Sequence, residues 1–182
     1  FVEFSVDEEH SFAYWKSEEA LDWLLEVVRG NLMALGRSLA RAQRDYVSGV
    51  DVVVGDRGVG QFAVVLREGR IGSEVWKSYP VGDEQHWLAG FGTPRGCHSP
   101  RFVTTSLGKS LILVCHDAQA FNHRHQALVR QGTSRWFVMD EMIEGMQRER
   151  PVWVFNVIHY IATPGSIRTF ATSYTQIWSD HS

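Results

Sequence analysis

What most constrains this chain is a set of short apolar runs, each stopped by a turn signal. Val50–Gly55 (VDVVVG) is β-branched and closes on a glycine. Leu111–Cys115 (LILVC) runs directly into His116 and Asp117, and Val152–His159 (VWVFNVIH) follows Pro151. Continuous apolar runs of this length are the pattern of strands buried on both faces. Such strands need covering layers, and the sequence supplies them. Ser17-Glu18-Glu19 is a helix start, with a capping serine and acids at the positive end of the helix dipole. Leu21, Leu24, Leu25, Val28, Leu32, Leu35 and Leu39 then recur at helical spacing, predicting an amphipathic helix to about Arg44. Ser134–Arg150 and Ser166–Trp178 are predicted as further helices, the first ended by Pro151.

The remaining strands carry turn signals between them. Phe1–Val6 alternates, Gln61–Arg67 and Ile71–Lys77 flank a hairpin at Glu68-Gly69-Arg70, and Arg101–Thr105 and Ser110–Cys115 flank Leu107-Gly108-Lys109. With no repeat or linker, residues 1–182 read as a single α/β domain. Helices should cover one face of a mixed sheet built from the strands at Phe1, Val50, Gln61, Ile71, Ser110 and Val152.

Composition narrows the function classes. Net charge is −3 with fifteen Arg and three Lys scattered, so no nucleic-acid or anionic-membrane partner is expected. No apolar run reaches the roughly 18–20 residues of a membrane span, and a cytoplasmic setting is the expectation. Seven Trp favour a large core, a pocket or an oligomer interface. Cys97 and Cys115 are too few for a disulfide framework. Cys97, in Arg95-Gly96-Cys97-His98, is expected to be an exposed loop residue. Cys115, His116, Asp117, His123, His125 and His159 are candidate metal ligands. Neighbours on a strand point to opposite faces, however, so Cys115 and His116 are not expected to share an ion, and no metal is predicted.

A cysteine at the C-terminal end of an apolar strand is held rigidly by the sheet and exposed at its edge, as a nucleophile requires. Upstream, Lys77 ends a hairpin strand and is followed by Val81-Gly82-Asp83-Glu84. Glu3 stands on an early strand, before the long helix and Val52-Val53-Val54-Gly55. The Cys strand follows the turn Ser106–Ser110, precedes Asp117, and leads to a helix at Glu141–Arg150 and a strand at Val152–Asn156. In this order and strand context the chain resembles the nitrilase/amidase (carbon–nitrogen hydrolase) superfamily.

The resemblance implies an αββα sandwich of mixed sheets, in a domain longer at both ends than these residues. It implies hydrolysis of non-peptide amides or nitriles through a thioester on Cys115, with no cofactor. Glu3 would be the base, Lys77 the cation that favours the thiolate and the oxyanion, and Glu84 the holder of Lys77. The backbone N–H of His116 would be a second oxyanion donor. His116, Phe121, His159 and Tyr160 are the candidate substrate-binding residues, and a homo-oligomer is expected. Ala118–Arg124 lacks the family's Phe-Pro-Glu. The alternative is a catalytically retired nitrilase-like domain serving as ligand sensor or assembly module.

Overall fold

The computed structural model describes residues 2–6, 11–42, 44–54, 58–158 and 164–181. In chain order the elements are β1 (Val2–Val6), α1 (Phe12–Trp15), α2 (Glu18–Leu39), β2 (Tyr46–Val54), β3 (Gly58–Arg67), β4 (Arg70–Trp76), α3 (Glu84–Trp87) and α4 (Pro94–Cys97). β5 (Phe102–Thr105), β6 (Gly108–Val114), a 3₁₀ helix at Cys115–Phe121, α5 (His123–Gln126), α6 (Ser134–Glu149), β7 (Trp153–Val157) and α7 (Pro164–His181) follow.

The strands form two mixed sheets, ordered β1-β2-β3-β4 and β5-β6-β7. β1 runs parallel to β2, and β2, β3 and β4 are antiparallel neighbours. In the second sheet β6 is antiparallel to β5 and parallel to β7. This corrects the expectation of one sheet holding the strands at Ser110 and Val152. A strand has two hydrogen-bonding edges, and β6 gives one to β5 and the other to β7, so β6 cannot join the first sheet, and β7 pairs with β6 instead.

Period-two alternation decides what each face buries. Val50, Val52 and Val54 of β2 and Phe62, Val64 and Leu66 of β3 pack with Leu21, Leu24, Val28 and Leu32 of α2. The opposite face of β3 and β4 turns Ala63, Val65 and Val75 onto Ile112 and Val114 of β6. The far side of β6 turns Leu111 and Leu113 onto Val138, Met142 and Met146 of α6 and Phe170 and Ile177 of α7. The central strands of both sheets are thus covered on both faces. That is why they read as unbroken apolar runs, and each buried Val or Leu contributes roughly 1.5–3 kcal/mol.

Local signals set the ends. The Ser17 hydroxyl accepts from the Ala20 amide at 3.3 Å, with Glu18 and Glu19 in the first turn of α2. The β3–β4 hairpin turns through Glu68 and Gly69 at φ +49° and +78°, the left-handed pair a two-residue hairpin needs. α2 crosses this turn at Gly36, where an added Cβ would meet the Gly69 carbonyl oxygen at 3.0 Å. Cys97 is not an exposed loop residue: it lies in α4, only 7% exposed, in the core beneath α6. Burial pushes its thiol pKa above the ordinary range.

Candidate active site

β6 ends at Val114, and Cys115 takes φ +50°, a left-handed conformation that costs a residue with a Cβ roughly 1–2 kcal/mol. The turn breaks strand alternation. His116 is therefore not thrown to the opposite face, and its Nδ1 lies 3.6 Å from Cys115 Sγ. The expectation that these neighbours point apart is corrected for that reason. The turn is held from β7 and α7: Asn156 Nδ2 donates to the Cys115 carbonyl at 3.0 Å and to the Tyr174 hydroxyl at 2.8 Å. Phe170 stacks on the His116 ring at 5.5 Å between centroids.

Lys77 follows β4 and extends the hairpin by one residue, its N–H donating to the Gln61 carbonyl at 2.9 Å. Its side chain is buried, and Nζ donates to Gln61 Oε1 at 2.6 Å and to Glu84 Oε1 at 2.8 Å. Glu84 Oε1 is also 3.3 Å from His116 Nδ1, and Oε2 accepts from the Val81 amide at 3.0 Å. The result is a polar chain, Lys77–Glu84–His116–Cys115. The ammonium meets the sulfur through Glu84 and His116 and does not hydrogen-bond to it directly.

One buried carboxylate fixes these two segments to each other. Asp117 Oδ1 accepts from the amides of Ser78 at 3.0 Å and Tyr79 at 2.8 Å. Oδ2 accepts from the Val114 amide at 3.1 Å and from Arg101 Nη1 at 3.2 Å. Arg101 Nη2 donates to the Ser78 hydroxyl at 2.7 Å, which in turn donates to the Gly96 carbonyl. The backbone after Lys77 is thereby tied to the turn that carries Cys115.

The cluster shifts its own titrations. Burial would raise the Glu84 pKa, but hydrogen bonds from His116 and Lys77 outweigh it and hold the carboxyl down to about 2. Burial likewise opposes charge on His116, yet hydrogen bonds to Cys115 and Glu84 push it up to about 9. A raised histidine contributes stability fully below its ordinary 6.5 and loses it as pH rises through about 9. A depressed carboxylate contributes fully above its ordinary 4.5 and loses it as pH falls through about 2. Urea midpoints measured across pH should therefore plateau between 4.5 and 6.5 and fall on both sides. In His116→Phe the alkaline limb should flatten; a limb unchanged by that substitution would refute the assignment.

Other sequence-predicted residues fall elsewhere. Glu3 is exposed on β1, in register with Asp51, which pairs with Gln61. Gln61 in turn receives the Lys77 amide, so Glu3 and Lys77 stand three strand spacings apart, about 14 Å between their backbones. Glu84, not Glu3, is the carboxylate this geometry puts in the cluster. Phe121 is 1% exposed in the core with α6 and α7, a packing position and not a substrate-facing one. His159 and Tyr160 lie outside the described residues. Gln61, Arg101, Phe170 and Tyr174 had not been singled out in the sequence. Only Gln61 carried a signal there, as the residue a hairpin places opposite the position after Trp76.

Among the described residues, no group of three or more His, Cys, Asp or Glu side chains is placed to hold a metal ion. No helix among them is long and apolar enough to cross a membrane. No model of a known protein family matches the chain, and no curated protein matches it.

Proposed function

We propose that this chain hydrolyses carbon–nitrogen bonds of small-molecule amides or nitriles through a thioester on Cys115, on a nitrilase-like αββα framework. The observation that supports this most is the chain of polar groups from buried Lys77 through half-buried Glu84 and His116, ending on a thiol that is held in a left-handed turn at a strand end. An ordinary thiol, with a pKa of about 8.5, needs a proton acceptor to become nucleophilic at neutral pH.

His116 is the side chain in contact with Sγ, and we assign it that role in place of Glu3. The proton of the pair rests on His116, whose push up to about 9 by Cys115 and Glu84 favours an imidazolium beside the sulfur at neutral pH. The sulfur attacks the amide carbon, and the C–N bond breaks as His116 gives that proton to the departing amine. Water then cleaves the thioester and releases the carboxylate. Glu84, at about 2, is too weak a base to take part in these transfers. It holds Lys77 and His116 in place, while the Lys77 charge and the His116 N–H support the oxyanion.

The test begins with iodoacetamide at neutral pH, where Cys115 should be alkylated well ahead of Cys97. Peptide mass spectrometry after incubation with short amides and nitriles should then find an acyl adduct on Cys115, with release of ammonia. A Cys115 that is inert until denatured, with no acyl adduct, would hand the site to the ligand-sensor or assembly reading.

A further inference from the structure

Along the sequence the arginines are scattered and carry no footprint for an anionic partner, but the fold gathers several of them at one end of the molecule. The β3–β4 hairpin places Arg67 directly opposite Arg70, a like-charge pair that costs stability on its own. The hairpin tip rests on the end of α2, where a Cβ on Gly69 would lie 3.6 Å from the Arg37 Cα. Arg41 and Arg44 follow in the turns after α2. Asp45 is already bound: it accepts from Arg67 Nε at 3.0 Å and Nη2 at 2.8 Å, and from the Ser106 amide at 2.7 Å. Glu149 is likewise held by Lys109 at 2.7 Å. Arg37, Arg41, Arg44, Arg70 and Arg150 are exposed and form no ion pair with any described residue.

The Asp45 contacts seat the β5–β6 turn beside these arginines, and the tip of that turn is apolar. Leu107, Val152 and Trp153 are between 47% and 60% exposed. They adjoin one another: Trp153 Nε1 donates to the Leu107 carbonyl at 3.0 Å, and a Cβ on Gly108 would meet Val152 at 3.2 Å. Arg150, in a left-handed turn at φ +44°, stands just before Pro151 and Val152. Beside the turn a cleft of about 680 Å³ opens between Arg44, Arg67 and Ser106. Single exposed apolar residues are ordinary, but a contiguous apolar tip set among unpaired cations is not.

The geometry points to this end of the protein as a docking surface for an anionic lipid bilayer. Leu107 and Val152 enter the headgroup layer, the Trp153 ring lies at the boundary where indoles are favoured, and the arginines meet lipid phosphates and carboxylates. Aliphatic side chains at the tip favour a bilayer over nucleic acid, whose bases stack on aromatic faces. The net charge of −3 does not oppose docking. At physiological ionic strength charges beyond about 8 Å are largely screened, so the local arginines dominate. Cys115 follows the other end of β6, 7 residues and roughly 23 Å from the turn. The docked protein therefore turns its thiol away from the bilayer, and the surface stands whatever chemistry Cys115 performs.

The full chain is sedimented with vesicles of phosphatidylcholine alone, and with vesicles containing about 30% phosphatidylserine. It should pellet only with the anionic vesicles, and be released in about 1 M salt, where the Debye length shrinks to about 3 Å. Arg41→Gln and Arg44→Gln should each weaken binding about fivefold. Leu107→Ser, which leaves the charge unchanged, should weaken it by about fivefold or more. All three side chains are exposed, so urea midpoints should match the parent. Trp153→Phe should remove most of the fluorescence quenching caused by brominated acyl chains. No pelleting with anionic vesicles, or pelleting undiminished in both Leu107→Ser and the arginine variants, would overturn the inference. Retention by polyuridylate or polyglutamate without vesicle binding would overturn it too, and give the face to nucleic acid or to an acidic protein.

Discussion

Cys115→Ser is expected to lower the rate of ammonia release from any amide the protein turns over by on the order of 10³-fold or more. A serine hydroxyl ionises far less readily than a thiol, and His116 would then have to remove a much less acidic proton. Part of the upward push on His116 comes from the sulfur itself, so the substitution also makes the imidazole a weaker base. The fold should barely notice. Serine is close to cysteine in size, the site is only 5% exposed, and the left-handed backbone costs both residues alike. Rates from a coupled ammonia assay, set beside urea midpoints, separate the two effects. A serine variant that keeps more than about a tenth of the parent rate would remove Cys115 from the mechanism.

Asp117→Asn should have the largest effect on stability, about 3–5 kcal/mol. The substitution conserves volume, so packing is not the cause. Two oxygens accept four hydrogen bonds in the parent, from the amides of Ser78, Tyr79 and Val114 and from Arg101. An asparagine oxygen can replace only one side of that set. Its NH₂ would face either two amides or an amide and a guanidinium, all of them donors. Arg101, itself buried, would lose its countercharge, and that uncompensated cation dominates the loss. Urea unfolding measures it directly, and a variant within about 1 kcal/mol of the parent would show that the four bonds are not acting as one unit. Because this carboxylate also fixes the backbone beyond Lys77 to the nucleophile's turn, Cys115 alkylation should slow in the same variant.

Much of the architecture was legible in the residues because it rests on local rules. The Ser17 cap, the leucine spacing of α2, the Glu68-Gly69 hairpin and the Pro151 stop each act within a few residues. Strand partnership was not legible. Nothing near Ser110 or Trp153 states that β6 will bond to β5 and β7 and not to the first sheet, since that choice is made between segments far apart in sequence. The burial of Cys97 was hidden for the same reason. At the site, the spacing of Lys77 and Glu84 already suited an ion pair across a short loop. The contact between Cys115 and His116 was misread by extending strand alternation one residue too far, because a positive φ at a non-glycine leaves little trace in sequence. Asp117 could be marked as a residue of interest, but its four donors come from three separate segments.

The parallel pairing of β6 with β7 bears on when the site comes into being. Parallel neighbours cannot be joined by a tight turn, so the crossover 115–152 must be laid down before Leu111 finds Val154 and Leu113 finds Asn156. Asn156, which secures the Cys115 carbonyl, belongs to the strand at the far end of that crossover. During synthesis the cysteine therefore emerges long before the residues that seat it. It acquires its geometry only when a loop of that length closes, a step that is intrinsically slow because chain entropy is lost before contacts repay it. The polypeptide thus keeps its thiol ungoverned while nascent, and thiol reactivity followed through refolding should appear with the last sheet contacts instead of with the early α2 layer.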